Sequence, residues 1–554
     1  MIVLVVFGVT ACDSGVSDET VPDEPEETYT ISGQVVDFEG DPVDDVTIVI
    51  SEEESVTPNG ENGSWQATGL SGETEIKLAE DGLPENYTVS GEEKGLDFVK
   101  ADLPDAKANT ENIRDKMEKI TSEEYNGRLA GLTGAVKTEE FISNNFEEYG
   151  LGKLPELNSL EQEFEHYIYY PNEGANSLLE VVNDENDLIH DFEPLKDFIP
   201  RNSFAPVSLN KEIDSAEIHL YEGYINDEHK KGVLLVPGHE AFGANMIQSN
   251  DDKAQVETAK VDEKYPIQGI LDDASDNGVA AVIISSNQPE NHNYLTRTVM
   301  VDSSHDCHDY KDEHSAVFSA DPKTFEKLEQ ASEDGNFVNM EIDYEFEEVI
   351  SNNIVGYIEG ESEETLIIGA HFDHAGFGYD GDSEKVIYPG ALDNASGTVS
   401  MMKLAKYASE FGTPEKNIAF VGFNAEELGL KGSNYFVNEL SSTEKIQYIN
   451  LDMIDEPIGL YNQEDDEATL LAKLDRIIFD GMDIEGESVE GVVGSDNLSF
   501  SEDPDVDYKD VMALYKPDLD EVIHTPADNM EAVNIDNITK IVDGLLIYLY
   551  NLAY

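Results

Sequence analysis

The chain has 554 residues, long enough for two to four cores, and its 39% hydrophobic and 9% aromatic content is that of globular domains rather than a disordered chain. Its 119 acidic residues against 33 lysines and arginines give a formal net charge of −86, spread along the whole length. Such a charge repels phosphate backbones and anionic lipid, which excludes nucleic-acid partners and electrostatic membrane binding; it marks a solvated acidic surface suited to high salt, with attraction of cationic substrates as the functional alternative.

The opening segment, MIVLVVFGVTAC, is apolar and ends in Val-Thr-Ala-Cys. It resembles the lipobox of bacterial lipoproteins, which implies cleavage before Cys12, lipidation of that residue and export to the cell surface or beyond it. No Lys or Arg precedes the run, and a fragment of an ordinary signal or anchor is the other reading. No later apolar run approaches the roughly 18–20 residues of a membrane helix, so contact with a membrane is expected only through a lipid anchor at Cys12. With residues 1–12 as signal, the acidic, proline-containing stretch 13–28 reads as an extended linker. The second cysteine, Cys307, is too remote to form a disulfide framework with the first.

From residue 29 to 98 short apolar–polar alternations (TYTISGQVV, VTIVIS, GSWQATGL, TEIKLA, NYTVSG) are separated by Gly, Asn and Pro. This spacing predicts a small β-sandwich with Trp65 in its core. The stretch ISGQVVDFEGDPVDDVTIVI resembles the opening strands of carboxypeptidase-regulatory-like modules. At about residue 105 the period lengthens. Ile113, Met117 and Ile120 predict one helix, and Phe141, Ile142, Phe146 and Leu151 the apolar face of another. Residues 205–340 read as a separate β-rich block with the strand candidates KGVLLVPG and GVAAVIISS. Its end, SAVFSADPKTFEKLEQA, resembles the last strand and helix of a protease-associated domain.

From about 350 strands and helices alternate: NNIVGYIEG, ETLIIGA, the helical SGTVSMMKLAKYASEF, NIAFVGFN, the helical LKGSNYFVNEL, KIQYINLDMI and a C-terminal helix. The expected fold is therefore α/β, a mixed sheet covered by helices, with a β-rich insert and a small N-terminal β-sandwich. Residues 105–204 and 341–554 would form the main domain, and 205–340 its insert.

Histidines and acids fall where such a sheet gathers ligands, at the carboxyl ends of strands. ETLIIGA runs into His371, Asp373 and His374; PGALDNASG places Asp393 before a helix; NIAFVGFNA runs into Glu426 and Glu427; YINL runs into Asp452; EVIHTPADN holds His524. Imidazole nitrogen and carboxylate oxygen suit zinc. Two histidines and three carboxylates are too few for two separate four-coordinate sites. They suffice if one carboxylate bridges two ions about 3.5–4 Å apart.

AHFDH, PGALDNASG, EELGLKGSNYF, INLDM and IHTPAD occur in this order, and TSEEYNGRLAG precedes them. Together they resemble the M28 family of zinc peptidases, over most of residues 105–554. The resemblance implies a zinc exopeptidase fold and a secreted metallo-exopeptidase, an aminopeptidase, that removes N-terminal residues from peptides. His371 and Asp452 would hold one zinc, Glu427 and His524 the other, and Asp393 would bridge them around a shared water. Glu426 would be the general base, and Asp373 would orient His371. His374 is left as a supporting, structural or substrate-contacting residue.

The sequence departs from the pattern at Ile523, where relatives carry a Tyr, at Asn497, where a His is usual, and at Leu392, where an Asp is common. Two other functions remain open: a carboxypeptidase for acidic C-terminal residues, with Arg201 and Arg297 as candidate cations, and a non-catalytic tethered binding protein. The stretch His305-Asp306-Cys307-His308 has metal-like residue types but no second half at ligand spacing. Ser396 lacks the surrounding elbow of a serine nucleophile.

Overall fold

The computed structural model describes residues 28–554 except 51–53, 72, 172–177, 193–196, 201–209, 239–265, 286–299, 302–314, 380–384, 441–445, 463–469, 483, 492, 502–510 and 518–521. Cys12, Arg201, Arg297 and the His305–His308 stretch therefore lie outside the described residues.

The N-terminal unit is a two-sheet sandwich. Tyr29–Asp37 pairs antiparallel with Ser64–Leu70 and parallel with Glu93–Lys94. The second sheet runs in the order Ser55–Val56, Ile48–Val49, Thr74–Leu78, Tyr87–Val89. Alternate residues turn inward, so Ile31, Val35, Ile48, Trp65, Ile76 and Phe98 form its core. Trp65 is 4% exposed and serves as core, as its setting among alternating strands predicts.

The rest of the chain is built on one sheet of 16 strands among the described residues. Its backbone is a 22-residue strand, Phe337–Ile358, considerably longer than the strand expected from about 350. The first half pairs with Leu178–Val182 and Asn210–Leu220. The second half pairs with Asn417–Phe423, and Glu161–Pro171 runs antiparallel along it from Tyr344 to Ile354. Charged residues such as Glu345, Glu347 and Glu348 hide this continuity in the sequence, because they break the apolar run without breaking the hydrogen-bonded ladder.

Three hydrophobic clusters share that strand: Val338 and Met340 join that of the insert, and Ile354 and Val355 join two separate ones of the larger lobe. The insert core is a parallel stack of Val233–Val236, Ala281–Ser285 and Ala316–Ala320, buried throughout, which is why these segments read as unbroken apolar runs. Leu179, Val181 and Phe198 also belong to this core, although the boundary at 205 left them with the main domain.

The larger core lies under the parallel strands Asn417–Phe423, Thr365–His371, Ile446–Asp452 and Val511–Tyr515, adjacent in that order. Helices Thr110–Ile120, Thr133–Tyr149, Gly397–Ala408 and Ile535–Ala553 contribute Ile113, Met117, Ile142, Phe146, Leu404, Leu545 and Leu549 to it. The first of these helices is capped by the Asn109 side chain, which accepts from Asn112 N. The chain leaves Thr365–His371 for the strand on one side of it, then crosses to the strand on the other. A topological switch point therefore lies at His371, where an open α/β sheet leaves a crevice.

Candidate active site

Each expected ligand sits just past a strand or at a helix start. His371 and Asp452 are the last residues of their strands, and Glu426 and Glu427 follow Asn417–Phe423 by a short turn. Asp393 lies in the wide turn Ala391–Ser396 that leads into Gly397–Ala408, and the Asp393–Asn394 peptide is cis. His524 stands in the loop after Val511–Tyr515.

These residues meet in two groups that share Asp393. Asp393 Oδ1 lies 3.3 Å from His371 Nε2, which is itself 3.4 Å from Asp452 Oδ1. Asp393 Oδ2 lies 3.0 Å from His524 Nε2 and 3.4 Å from His374 Nδ1. Glu427 closes the second group, with Oε2 at 2.9 Å from His524 Nε2 and Oε1 at 2.9 Å from His374 Nδ1. One carboxylate thus turns one oxygen to each group.

Two observations fit zinc. The donors are imidazole nitrogens and carboxylate oxygens, the set this ion takes. Asp452 Oδ1, Glu427 Oε1 and both ring nitrogens of His374 are buried without a hydrogen-bond partner. Such atoms cost stability unless something pairs with them.

The charges are strongly coupled. Burial acts to raise the Asp393 carboxyl, but His374, His371 and His524 hold it well below the usual carboxylate range. Glu427 is depressed in the same way, its burial outweighed chiefly by His524. Burial acts to lower His371, yet Glu426 and Asp452 raise it. Glu426 goes the other way: burial, joined by Asp496, Glu427 and Asp452, holds its carboxyl well above the ordinary range.

Asp373 does more than was expected of it. Its carboxylate accepts from the backbone N–H of Glu426 at 3.1 Å and of Glu427 at 3.2 Å, and so holds the turn that carries both acids. His371 Nδ1 lies 3.3 Å from the Asp373 carbonyl oxygen and 3.6 Å from Oδ1, so the orienting contact expected of the carboxylate is shared with the backbone. The same turn is anchored by Glu139, whose Oε1 accepts from Asn424 Nδ2 at 2.8 Å.

Three residues that sequence reasoning passed over support the site. Arg128 is fully buried and donates to the carbonyls of Phe372, Ile120, Pro389 and Gly390. Burial lowers its guanidinium to about 10, while Asp528, Asp393, Asp373 and Glu427 act to raise it. Asp528 accepts from Leu392 N at 2.7 Å and Asp393 N at 3.1 Å; burial pushes its carboxyl up to about 6. Asn394 accepts from Gly397 N and Met453 N and donates to Leu451 O, tying the Asp393 turn to the Asp452 strand. Arg128 lay within TSEEYNGRLAG and Asp528 within IHTPAD, so both were in the quoted motifs without a role.

The departures also have places. Ile523 packs with Leu392, Met453 and Tyr515, an apolar patch beside the ligands. Asn497 is buried at the start of Asn497–Ser501 rather than exposed to a cleft, and its neighbour Asp496 is fully buried, with burial pushing it up to about 7. Ser396 donates to Leu392 O and accepts from Ile454 N, a structural use of its hydroxyl.

Residues 353–549 match the model of peptidase family M28. The leupeptin-inactivating enzyme 1 of Streptomyces exfoliatus is 35% identical over 123 residues, 22% of this chain and 26% of that one. Aminopeptidase YwaD of Bacillus subtilis is 28% identical over 205 residues, 34% of this chain and 42% of that one. The matches thus span 26% and 42% of these two relatives' lengths. Among solved structures, the aminopeptidase from Aneurinibacillus sp. strain AM-1 superposes with a TM-score of 0.55 at 16% identity, covering 81% of this chain and 94% of that one. BSAP, a zinc aminopeptidase from Bacillus subtilis, gives 0.54 at 17% identity, covering 82% of this chain and 96% of that one. At these identities the likeness is one of fold.

Proposed function

We propose that the chain is a secreted two-zinc aminopeptidase. The observation that carries the reading is the division of Asp393, with Oδ1 turned to His371 and Oδ2 to His524 and His374. His371, Asp393 and Asp452 would hold one zinc, and Asp393, Glu427 and His524 the other. Bound zinc supplies Lewis acidity toward a carbonyl oxygen and lowers the pKa of water from 15.7 toward about 7.

The chain's own residues do the rest. Glu426 takes a proton from the attacking water and returns it to the leaving amine; burial holds its carboxyl above the ordinary range, which favours accepting that proton. Asp373 fixes the backbone from which Glu426 projects. Arg128 and Asp528 hold the two loops that carry His371 and Asp393.

The acidic surroundings favour a substrate's cationic N-terminus over its carboxylate. Arg128, buried against the ligand loops, is committed to backbone carbonyls and does not serve as a carboxylate anchor. Aminopeptidase YwaD and BSAP carry that activity in their names, which supports the same reading.

The test is a panel of aminoacyl chromogenic substrates, free and blocked at the N-terminus, with and without a chelator. Hydrolysis of the free substrates alone, abolished by chelator and restored by zinc, is expected. Cleavage of blocked peptides from the carboxyl end would favour the carboxypeptidase, and no cleavage of any peptide the binding protein.

A further inference from the structure

His374 was expected to support the site or touch substrate, yet its ring stands inside the second ligand group. Nδ1 is 2.9 Å from Glu427 Oε1 and 3.4 Å from Asp393 Oδ2. These approaches are not satisfied hydrogen bonds, since His374 Nδ1, Nε2 and Glu427 Oε1 are all buried without a partner. A tetrahedron of bonds about 2.0–2.1 Å long has edges of about 3.3 Å; the approach to Asp393 has that length and the approach to Glu427 is shorter, and the donor atoms of His374, Asp393, Glu427 and His524 all lie within 4.8 Å of one another. The contacts around His371 in the other group are 3.3 Å and 3.4 Å, the length of the approach from His374 to Asp393.

The ring is also held in place from behind. A Cβ at Gly390 would stand 2.5 Å from His374 Cγ and Cδ2, so the ring lies flat against that glycine, whose φ of +60° suits it to the position. His374 N donates to Arg128 O at 3.2 Å. The His374 and His524 ring centroids are 5.5 Å apart, and His374 Nδ1 and His524 Nε2 both approach Glu427 and Asp393 Oδ2.

We propose that His374 is a direct ligand of the second ion, which makes the two metal positions unequal. One has four protein donors, His374, Asp393, Glu427 and His524, and is closed by the protein. The other has three, His371, Asp393 and Asp452, and keeps an open position for water or the substrate carbonyl. The four-donor position fills first and releases its ion last. The three-donor position exchanges and is where the carbonyl is polarised. This rests on the two-zinc reading above.

The experiment is a zinc titration of chelator-stripped full-length protein against a competing chromophoric chelator, paired with X-ray absorption of the protein carrying one equivalent of zinc. Two ions per chain with separated affinities are expected, and the first ion should show two imidazole ligands. A single imidazole on the first ion overturns the proposal, and this measurement needs no variant. In His374→Ala the first affinity should fall by more than about 100-fold, beyond the range for loss of a residue that only hydrogen-bonds to a ligand. An unchanged first affinity in a folded His374→Ala overturns it too. A wild-type protein that binds fewer than two ions defeats the two-zinc reading instead, so the two failures are distinct.

Discussion

Arg128 Nε donates to the carbonyl oxygen of Phe372 at 2.8 Å, across 244 residues of sequence. Phe372 lies between His371 and Asp373, and the same guanidinium reaches Pro389 O and Gly390 O just ahead of Asp393. One side chain therefore sets the spacing of the two loops that carry the shared carboxylate and its partner. Arg128→Met leaves four carbonyls without their donor, each worth about 1–3 kcal/mol when buried. We expect a loss of at least about 3 kcal/mol in stability and weaker zinc binding, with Arg128→Lys recovering part of both. Urea denaturation and metal titration measure them, and a Met variant with wild-type zinc affinity would show that the clamp does not position the ligands.

Glu426→Gln removes the proton acceptor while keeping the size of the side chain. Zinc content should remain that of the wild type, and kcat for aminoacyl anilides should fall by roughly 100- to 10,000-fold. Unchanged hydrolysis in that variant would remove Glu426 from the mechanism.

Stripping zinc would leave the buried Asp393 and Glu427 balanced only by the imidazoles of His371, His374 and His524. An ion that binds only the folded chain stabilises it by about 2.7 kcal/mol at a free concentration of 100 Kd. Chelator should therefore lower the Tm, and zinc should restore it in a concentration-dependent way. A Tm indifferent to both, read by scanning calorimetry, would speak against a metal in this cluster.

Lys403 lies on the helix Gly397–Ala408 and is 1% exposed. Burial, with Lys116 and Lys406 nearby, pushes its ammonium down to about 8. The unfolded chain keeps that proton to about 10.4. Between the two values the unfolded state binds more protons, so this group's contribution to stability rises with pH through that window; below about 8 the full penalty applies. Lys403→Met should stabilise the protein at pH 7 by about 1–3 kcal/mol and lose the rise between pH 8 and 10. Denaturant midpoints at pH 7 and 9.5 decide it; equal or lower stability at pH 7 would refute the penalty.

The proposal of export through Cys12 has a direct check. Cells expressing the full chain and fed a labelled fatty acid should label it, and Cys12→Ala should carry no label and leave the membrane fraction. Equal labelling of both forms would rule out lipidation at that residue.

By itself the sequence determined the fold class, the central strands and the main helices of the larger lobe, and that histidines and acids gather at the carboxyl ends of those strands. It could do so because a parallel strand buried on both faces is an unbroken apolar run, and here such runs end directly on His371 and Asp452 or a few residues before Glu426. The helices at Thr110–Ile120 and Gly397–Ala408 were equally legible from their period. The tertiary structure alone decided that Phe337–Ile358 is one strand shared by the insert and the larger lobe, that Asp393 divides its oxygens between two groups, that His374 stands beside Asp393 and Glu427, and that Arg128 clamps the loops that carry His371 and Asp393. These depend on contacts between residues tens to hundreds of positions apart. Periodicity encodes only which face of its own element a residue takes, so it cannot say what waits on the other side of that face.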